Sequence, residues 1–239
     1  MRFPSFNNEL KYLNAGYSFV AGCDEVGVSP LAGPVVACAC LLDPGSIGKY
    51  RSKNKWYYRV RDSKTTSEIE RQVLVKQILK NTLAHGVGVV WQEEIDKLNI
   101  HNASLKAMRL ATEELLEKIA QNEIKDEIKT HRILLFVDGR FKVPEPHSRG
   151  IELDQKSVIK GDRSILSISA ASIIAKVHRD NIMREQDDKF PQYSFARHKG
   201  YNTKEHQKAI LKHGVTELHR RSFFKKGWLR EVQGIKDMN

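Results

Sequence analysis

The chain has 239 residues, 40% hydrophobic and 29% charged, which is enough apolar sequence for a sizeable core and argues against a disordered chain. A net charge of +11 and a pI near 9.5 favour a polyanionic partner, nucleic acid ahead of an anionic membrane surface, because clustered Lys and Arg gain by releasing phosphate counterions. The start, Met1-Arg2-Phe3-Pro4-Ser5, has no apolar signal region and no run is long enough to span a bilayer, so the chain reads as cytoplasmic.

From Tyr17 strand-like and helix-like segments alternate, the pattern of an α/β domain whose sheet is covered on both faces. Apolar runs predict strands over 18–23 and 35–42, joined through Gly27 to Pro34 as a hairpin with a long loop, which makes the sheet mixed. Cys23, Cys38 and Cys40 lie in these runs as free thiols, without the paired spacing that zinc needs. Residues 44–61 are basic and aromatic (Lys55, Trp56, Tyr57, Tyr58, Arg59) and lack a period, so they read as a long loop that either stacks on bases or packs back on the body.

Further along, a helix is predicted over 67–81, after the capping run Thr65-Thr66-Ser67, with Ile69, Val73 and Ile78 near helical spacing. A strand over 86–90 precedes a helix over 102–120, whose stripe is Met108, Ala111, Leu115 and Ile119. Strands follow over 133–137 and 156–159. A helix over 167–188 opens small and apolar (Ala170, Ala171, Ile174, Ala175) and ends charged. The C-terminal stretch interleaves Lys212, His213, His219, Arg220, Arg221, Lys225, Lys226 and Arg230 with Phe223, Phe224 and Trp228, the mix of a backbone-tracking surface or of a solvated helix. The histidines scatter without an obvious partner, and none is assigned a catalytic part.

The chemistry begins at Asp24-Glu25, which end an apolar strand and precede a turn containing Gly27, Pro30, Gly33 and Pro34. Carboxylates there have to be desolvated unless something pairs them, and a divalent cation would do so. The same grammar recurs at Val137-Asp138-Gly139 and at Lys160-Gly161-Asp162. Singly, each acid could be a turn cap. Together Asp24, Glu25, Asp138 and Asp162 offer hard oxygen ligands, suited to Mg²⁺ or Mn²⁺ and to metal-assisted phosphodiester hydrolysis.

The segment Ala21-Gly22-Cys23-Asp24-Glu25-Val26-Gly27, followed by Pro30-Leu31-Ala32-Gly33-Pro34-Val35-Val36, resembles the opening signature of ribonuclease HII. Asp62-Ser63-Lys64, Asn99 to Ser104, Val137-Asp138-Gly139, Lys160-Gly161-Asp162, Ile168 to Val177, Phe190 to Tyr193, His198-Lys199-Gly200-Tyr201 and His219 to Phe223 resemble that family's motifs, in its order. The resemblance implies a ribonuclease H-like fold: a central mixed five-stranded sheet flanked by helices, with a helical C-terminal extension. It also implies one domain over 1–239, with a core at about 17–190 and the extension at 191–239.

In function it implies an endoribonuclease that hydrolyses the RNA strand of RNA/DNA hybrids and cuts 5′ to ribonucleotides in duplex DNA; the chain is taken as a monomer. Two divalent ions would leave 3′-hydroxyl and 5′-phosphate ends. Asp24, Glu25, Asp138 and Asp162 would be its catalytic, metal-binding acids, and Gly27, Val28, Ser29, Lys64, Lys176 and Tyr201 would contact substrate, Tyr201 at the 2′-hydroxyl.

One departure stands out against the resemblance. Where the family usually has Gly-Arg-Gly after the acidic pair, this chain has Gly27-Val28-Ser29. The missing arginine removes a charged phosphate donor of about 1.5–3 kcal/mol. Ser29 matters if its position needs positive φ or close approach to the ribose. Weakened but retained cleavage is the expectation, and a hybrid-binding protein that cleaves poorly or not at all is the alternative.

Overall fold

The computed structural model describes residues 3–48, 55–60, 66–121, 132–148 and 150–224. In chain order the elements are α1 (Asn7–Leu13), β1 (Phe19–Val26), β2 (Val35–Leu42), α2 (Glu68–Lys80), β3 (Thr82–Val90), α3 (Gln92–Leu98), α4 (Ile100–Gln121), β4 (Arg132–Asp138), β5 (Glu152–Val158), α5 (Leu166–Lys189), α6 (Phe195–His198) and α7 (Lys204–His213). The five strands form one sheet in the order β3-β2-β1-β4-β5. β1 pairs antiparallel with β2 and parallel with β4, while β4 pairs parallel with β5, so the sheet is mixed as expected.

Strand alternation sorts the core into two layers. All eight residues of β2 are buried. Val35, Ala37, Ala39 and Leu41 face Ala107, Met108, Ala111 and Leu115 of α4, and Val36, Cys38, Cys40 and Leu42 face Ala170, Ala171 and Ile174 of α5 with Leu74 and Ile78 of α2. Burial on both faces explains why β2 is apolar throughout rather than alternating. The three cysteines are buried free thiols. The predicted α4 stripe is buried in full.

α2 starts at the expected cap, where Ser67 accepts from the Glu70 amide and Glu70 accepts from the Ser67 amide, a capping box. Its apolar stripe corrects the sequence reading. Ile69 and Val73 are exposed, and Leu74, Val75 and Ile78 face the core. β3 and β5 begin four residues earlier than the apolar runs indicated, at Thr82 and Glu152. β5 is an edge strand with no fully buried residue, so its first half carries no apolar signal. Of residues 44–61, the described parts form two short 3₁₀ turns, Pro44–Ser46 and Trp56–Arg59. Tyr57 there is buried and donates to the Gly48 carbonyl, which favours packing on the body.

A third cluster, Leu31, Ala32, Met183, Tyr193, Phe195, Ile210, Leu218 and Phe224, ties the helical C-terminal part to the loop between β1 and β2. The histidines there are not scattered. His198 and His206 stack with centroids 4.4 Å apart, and His206 Nε2 lies 3.1 Å from His219 Nε2. Burial holds His206 down at about 4 and His219 at about 3, so both are neutral at physiological pH. His219 and Arg220, read as surface residues, are buried. Lys225, Lys226, Trp228 and Arg230 lie outside the described residues.

The N-terminal residues of α5 pack on β1 at Gly22, where a Cβ would come within 2.3 Å of the Ile168 amide nitrogen. The same turn lacks a local side-chain cap, and Glu9 of α1 supplies one from 158 residues away, accepting from the Ser167 amide and hydroxyl at 2.9 Å each. Burial outweighs these bonds and pushes the Glu9 carboxyl up to about 7. A carboxyl that binds its proton more tightly when folded stabilises fully below its unfolded value near 4.5, and that contribution is lost as pH rises through about 7. Glu9→Gln removes this dependence. Denaturant titrations should therefore show the variant gaining on the parent by roughly 3 kcal/mol between about pH 4.5 and about pH 7. A gain in the opposite sense would show that Glu9 folds as the carboxylate.

Candidate active site

The acids converge because of strand register. Cys23 lies beside Val137 in the parallel β1–β4 pair, so Asp24 and Asp138 continue side by side at the C-terminal ends of both strands. Asp138 Oδ1 accepts from the Gly161 amide at 2.6 Å, which ties the end of β4 to the turn bearing Asp162. Asp24 Oδ1 accepts from the Glu25 amide at 2.8 Å. Asp24, Glu25, Asp138 and Asp162 line one cleft of about 160 Å³, together with Gly27, Val28, Ser29, Ser172, Lys176 and Tyr201. Every expected site residue except Lys64 is in that cleft, and Lys64 lies outside the described residues.

Asp24 is only 6% exposed. Burial pushes its carboxyl well above the usual range, repulsion from Glu25 and Asp138 adds to this, and a hydrogen bond from Ser172 opposes it. Among the described residues no three acidic, His or Cys side chains close around a single point as a ready-made cation cage. That spacing is compatible with Mg²⁺-type ions, which take one or two carboxylates each and complete their shell with water and phosphate oxygens. The repulsion on Asp24 is what a bound cation would relieve, and the donor set is all hard oxygen, so the residues fit such an ion.

The loop after Glu25 is built on its backbone. Gly27 has φ +87°, and a Cβ there would meet Arg179 Nε at 2.3 Å, so no other residue fits. Ser29 is not among the non-glycine residues with positive φ, which are Asn99, Lys160, Ser194 and Lys199 among the described residues. The side chains of Val28 and Ser29 are exposed. Tyr201, 37% exposed, has the Lys176 ammonium 5.9 Å and the Arg179 guanidinium 5.8 Å from its ring centre. Lys176 pairs with Asp180, which also lies 3.6 Å from Arg71. Burial lowers the Lys176 ammonium, and Asp180 opposes that shift.

A second hollow of about 220 Å³ shares Glu25, Val28 and Asp138 and continues to His101, Ser104 and Phe141. Sequence reasoning passed over Phe141, and it did not assign Ser172 or Arg179 a part. Arg179 follows Lys176 by about one helical turn, but nothing in the sequence separates a buried arginine from a solvated one.

With the geometry in place, comparison with known proteins is decisive. The model of the family "Ribonuclease HII" matches residues 21–228. The chain belongs to the ribonuclease HII family. A ribonuclease HII of Caldicellulosiruptor bescii is 40% identical over 220 residues, covering 92% of this chain and 93% of the relative. The fold is similar to the ribonuclease H2 of Pyrococcus horikoshii, with TM-score 0.63 and 22% identity, covering 92% of this chain and 99% of that one. It is also similar to Bst-RNase HIII solved with Mn²⁺, with TM-score 0.61 and 17% identity over 92% of this chain and 71% of that one.

The crowded carboxylates predict a cost to the fold. Asp24→Asn should raise stability in chelator-treated protein at neutral pH by about 0.5–2 kcal/mol, since it removes a buried charge facing like charges. Mn²⁺ should stabilise the parent and leave the variant nearly unchanged. Thermal unfolding with and without metal checks both, and a destabilised variant would place the value of Asp24 in packing.

Proposed function

We propose that the chain is a cytoplasmic endoribonuclease that hydrolyses the RNA strand of RNA/DNA hybrids and cuts 5′ to ribonucleotides embedded in duplex DNA. The observation that carries this reading is one cleft lined by four carboxylates, a glycine-bearing loop and Tyr201. The chain acts as a monomer, with the C-terminal part from about residue 191 forming one domain with the core.

Asp24, Glu25, Asp138 and Asp162 would hold two divalent cations, Mn²⁺ or Mg²⁺. When bound, these supply an activated water and stabilise the leaving 3′-oxygen, which gives 3′-hydroxyl and 5′-phosphate products. The residues themselves orient and select. Gly27, Val28 and Ser29 present main-chain groups to the ribose, whose 2′-hydroxyl distinguishes RNA from DNA. Tyr201 touches the 2′-hydroxyl and packs on the sugar that follows, which favours a ribo-to-deoxyribo junction. Lys176 faces the backbone as a cation, and Lys64 adds a phosphate contact from the neighbouring motif.

Gly27-Val28-Ser29 replaces the Gly-Arg-Gly usual in the family, and the loop supports retained activity over a purely binding role. Ser29 needs no left-handed backbone, so its Cβ imposes no strain. Val28 leaves its side-chain site open to the cleft without a cation. The change therefore weakens phosphate contact while the backbone remains available for the ribose.

Cleavage of two labelled duplexes, one with a single ribonucleotide in DNA and one with continuous RNA against DNA, tests the reading in Mg²⁺ and Mn²⁺. Cutting 5′ to the lone ribonucleotide is expected. Cutting of the continuous hybrid alone would mean that junction recognition is lost, and no cutting of either would favour the binding-only alternative. Val28→Arg should raise kcat/KM on the single-ribonucleotide duplex by roughly 10-fold or more, as expected from one regained charge-assisted contact. An unchanged rate would show that position 28 does not reach the phosphate.

A further inference from the structure

Two arginines lie fully buried behind the loop, Arg179 of α5 and Arg220 after α7, each 0% exposed. Neither forms an ion pair among the described residues, an expensive arrangement for a guanidinium. Instead their forks are filled by main-chain carbonyls. Arg220 donates to the carbonyls of Gly27 at 2.7 Å, Gly33 at 2.8 Å and Val28 at 3.1 Å. Arg179 donates to those of Pro34 at 2.9 Å, Ala32 at 3.1 Å and Lys199 at 3.0 Å. Five of these six acceptors belong to the 27–34 loop, and the sixth lies two residues before Tyr201.

The direction of these bonds has a consequence for the other side of the loop. In a planar trans peptide the C=O and the next N–H point opposite ways. Drawing the Gly27 and Val28 carbonyls inward therefore turns the amides of Val28 and Ser29 away from Arg220. Neither amide donates to any described residue, and both residues line the cleft.

We infer that Arg220, with Arg179 beside it, is a positioning residue for ribose recognition: it holds the 27–29 backbone so that the Val28 and Ser29 amides face the substrate's ribose. This rests on the functional reading above and deepens it. It also explains how the loop works without an arginine at position 28, since positive charge stands behind the loop rather than on its side chain. Lysine could not substitute, because a point charge on a flexible stem cannot hold three carbonyls in one plane. The segment after Arg220 is clamped in turn by Asp96 of α3, which accepts from the Arg221 and Ser222 amides at 2.9 Å each and from the Ser222 hydroxyl.

Two quantities test it: kcat/KM on a duplex with one ribonucleotide, and the inhibition constant of the all-DNA duplex of the same sequence. Arg220→Lys should lower kcat/KM roughly 100-fold, the usual effect of misplacing an oriented donor, while the all-DNA inhibition constant stays within about twofold. Asp96→Asn, at a residue that holds the 221–222 amides and is not among those lining the cleft, should lower kcat/KM by about 5-fold with the same unchanged inhibition constant. A folded Arg220→Lys protein that keeps its rate, or that loses both quantities in parallel, would overturn the inference. If Arg220→Lys fails to fold, Asp96→Asn decides, and a full ribonucleotide rate in that variant overturns it. A parent protein that cleaves neither duplex removes the functional reading itself, whereas a cleaving parent with an indifferent Arg220→Lys removes this inference alone.

Discussion

The parallel pairing of β1 with β4 is the constraint on which the site depends. It sets Cys23 beside Val137, and the residues that follow each, Asp24 and Asp138, have nowhere to go except toward one another. Burial first, and then the like charges of Glu25 and Asp138, oppose an ionised Asp24 at this place and push its carboxyl well above the usual range. The strands hold their register because β1 is packed between α4 on one face and α5 on the other, so a slip of one residue would swap its side chains between the two layers and bring a Cβ to the place where only Gly22 clears the start of α5. The hydrophobic core, in this sense, maintains an electrostatic strain that a cation can relieve.

The charges around the cleft are arranged by depth. The carboxylates line its surface, while the guanidinium groups of Arg179 and Arg220 lie beneath the loop that borders it. Burial and the neighbouring Arg179 bring the Arg220 guanidinium down to about 9, which leaves it charged at neutral pH. A negative site backed by fixed positive charge can receive a cation and a phosphate together, since each layer offsets the other's repulsion. The buried histidines support the same layer without adding charge. His206 Nδ1 meets the Tyr201 carbonyl at 2.9 Å, and the Gly200 amide donates to His198 Nδ1 at 3.2 Å, so the turn carrying Tyr201 rests on neutral imidazoles.

Legibility in the sequence followed burial. β2 and α4 have strong apolar signals because they are buried on both faces or along one stripe, and their positions matched closely. The convergence of the acids was legible because carboxylates near a glycine recur after three apolar runs, and turn capping, which could explain each one singly, does not explain the set. α1, α3 and α7 were missed for want of such a signal. α1 contributes one buried residue, the polar Glu9, and α7 buries only His206 and Ile210. Ile69 and Val73 misled for the opposite reason, being apolar at helical spacing yet turned outward. Arg220 was hidden because basic residues near a C-terminus read as surface, and Arg179 because it stands in the charged half of α5; nothing in the sequence links Arg220 to carbonyls 187 to 193 residues away.

The tolerance of the loop to Val28 and Ser29 follows from which atoms are held. The buried guanidinium groups grip carbonyl oxygens, which every residue possesses, so positions 28 and 29 can change side chain without changing what the backbone presents. Gly27 has no such freedom, because its left-handed φ and the Arg179 Nε atom exclude a Cβ. Recognition through main-chain groups, as proposed, would leave the outward side chains adjustable and the inward contacts strict. Under the proposed function, a side chain at position 28 would adjust how strongly phosphate is held, while discrimination between ribose and deoxyribose would stay with Tyr201 and with the backbone that the arginines hold.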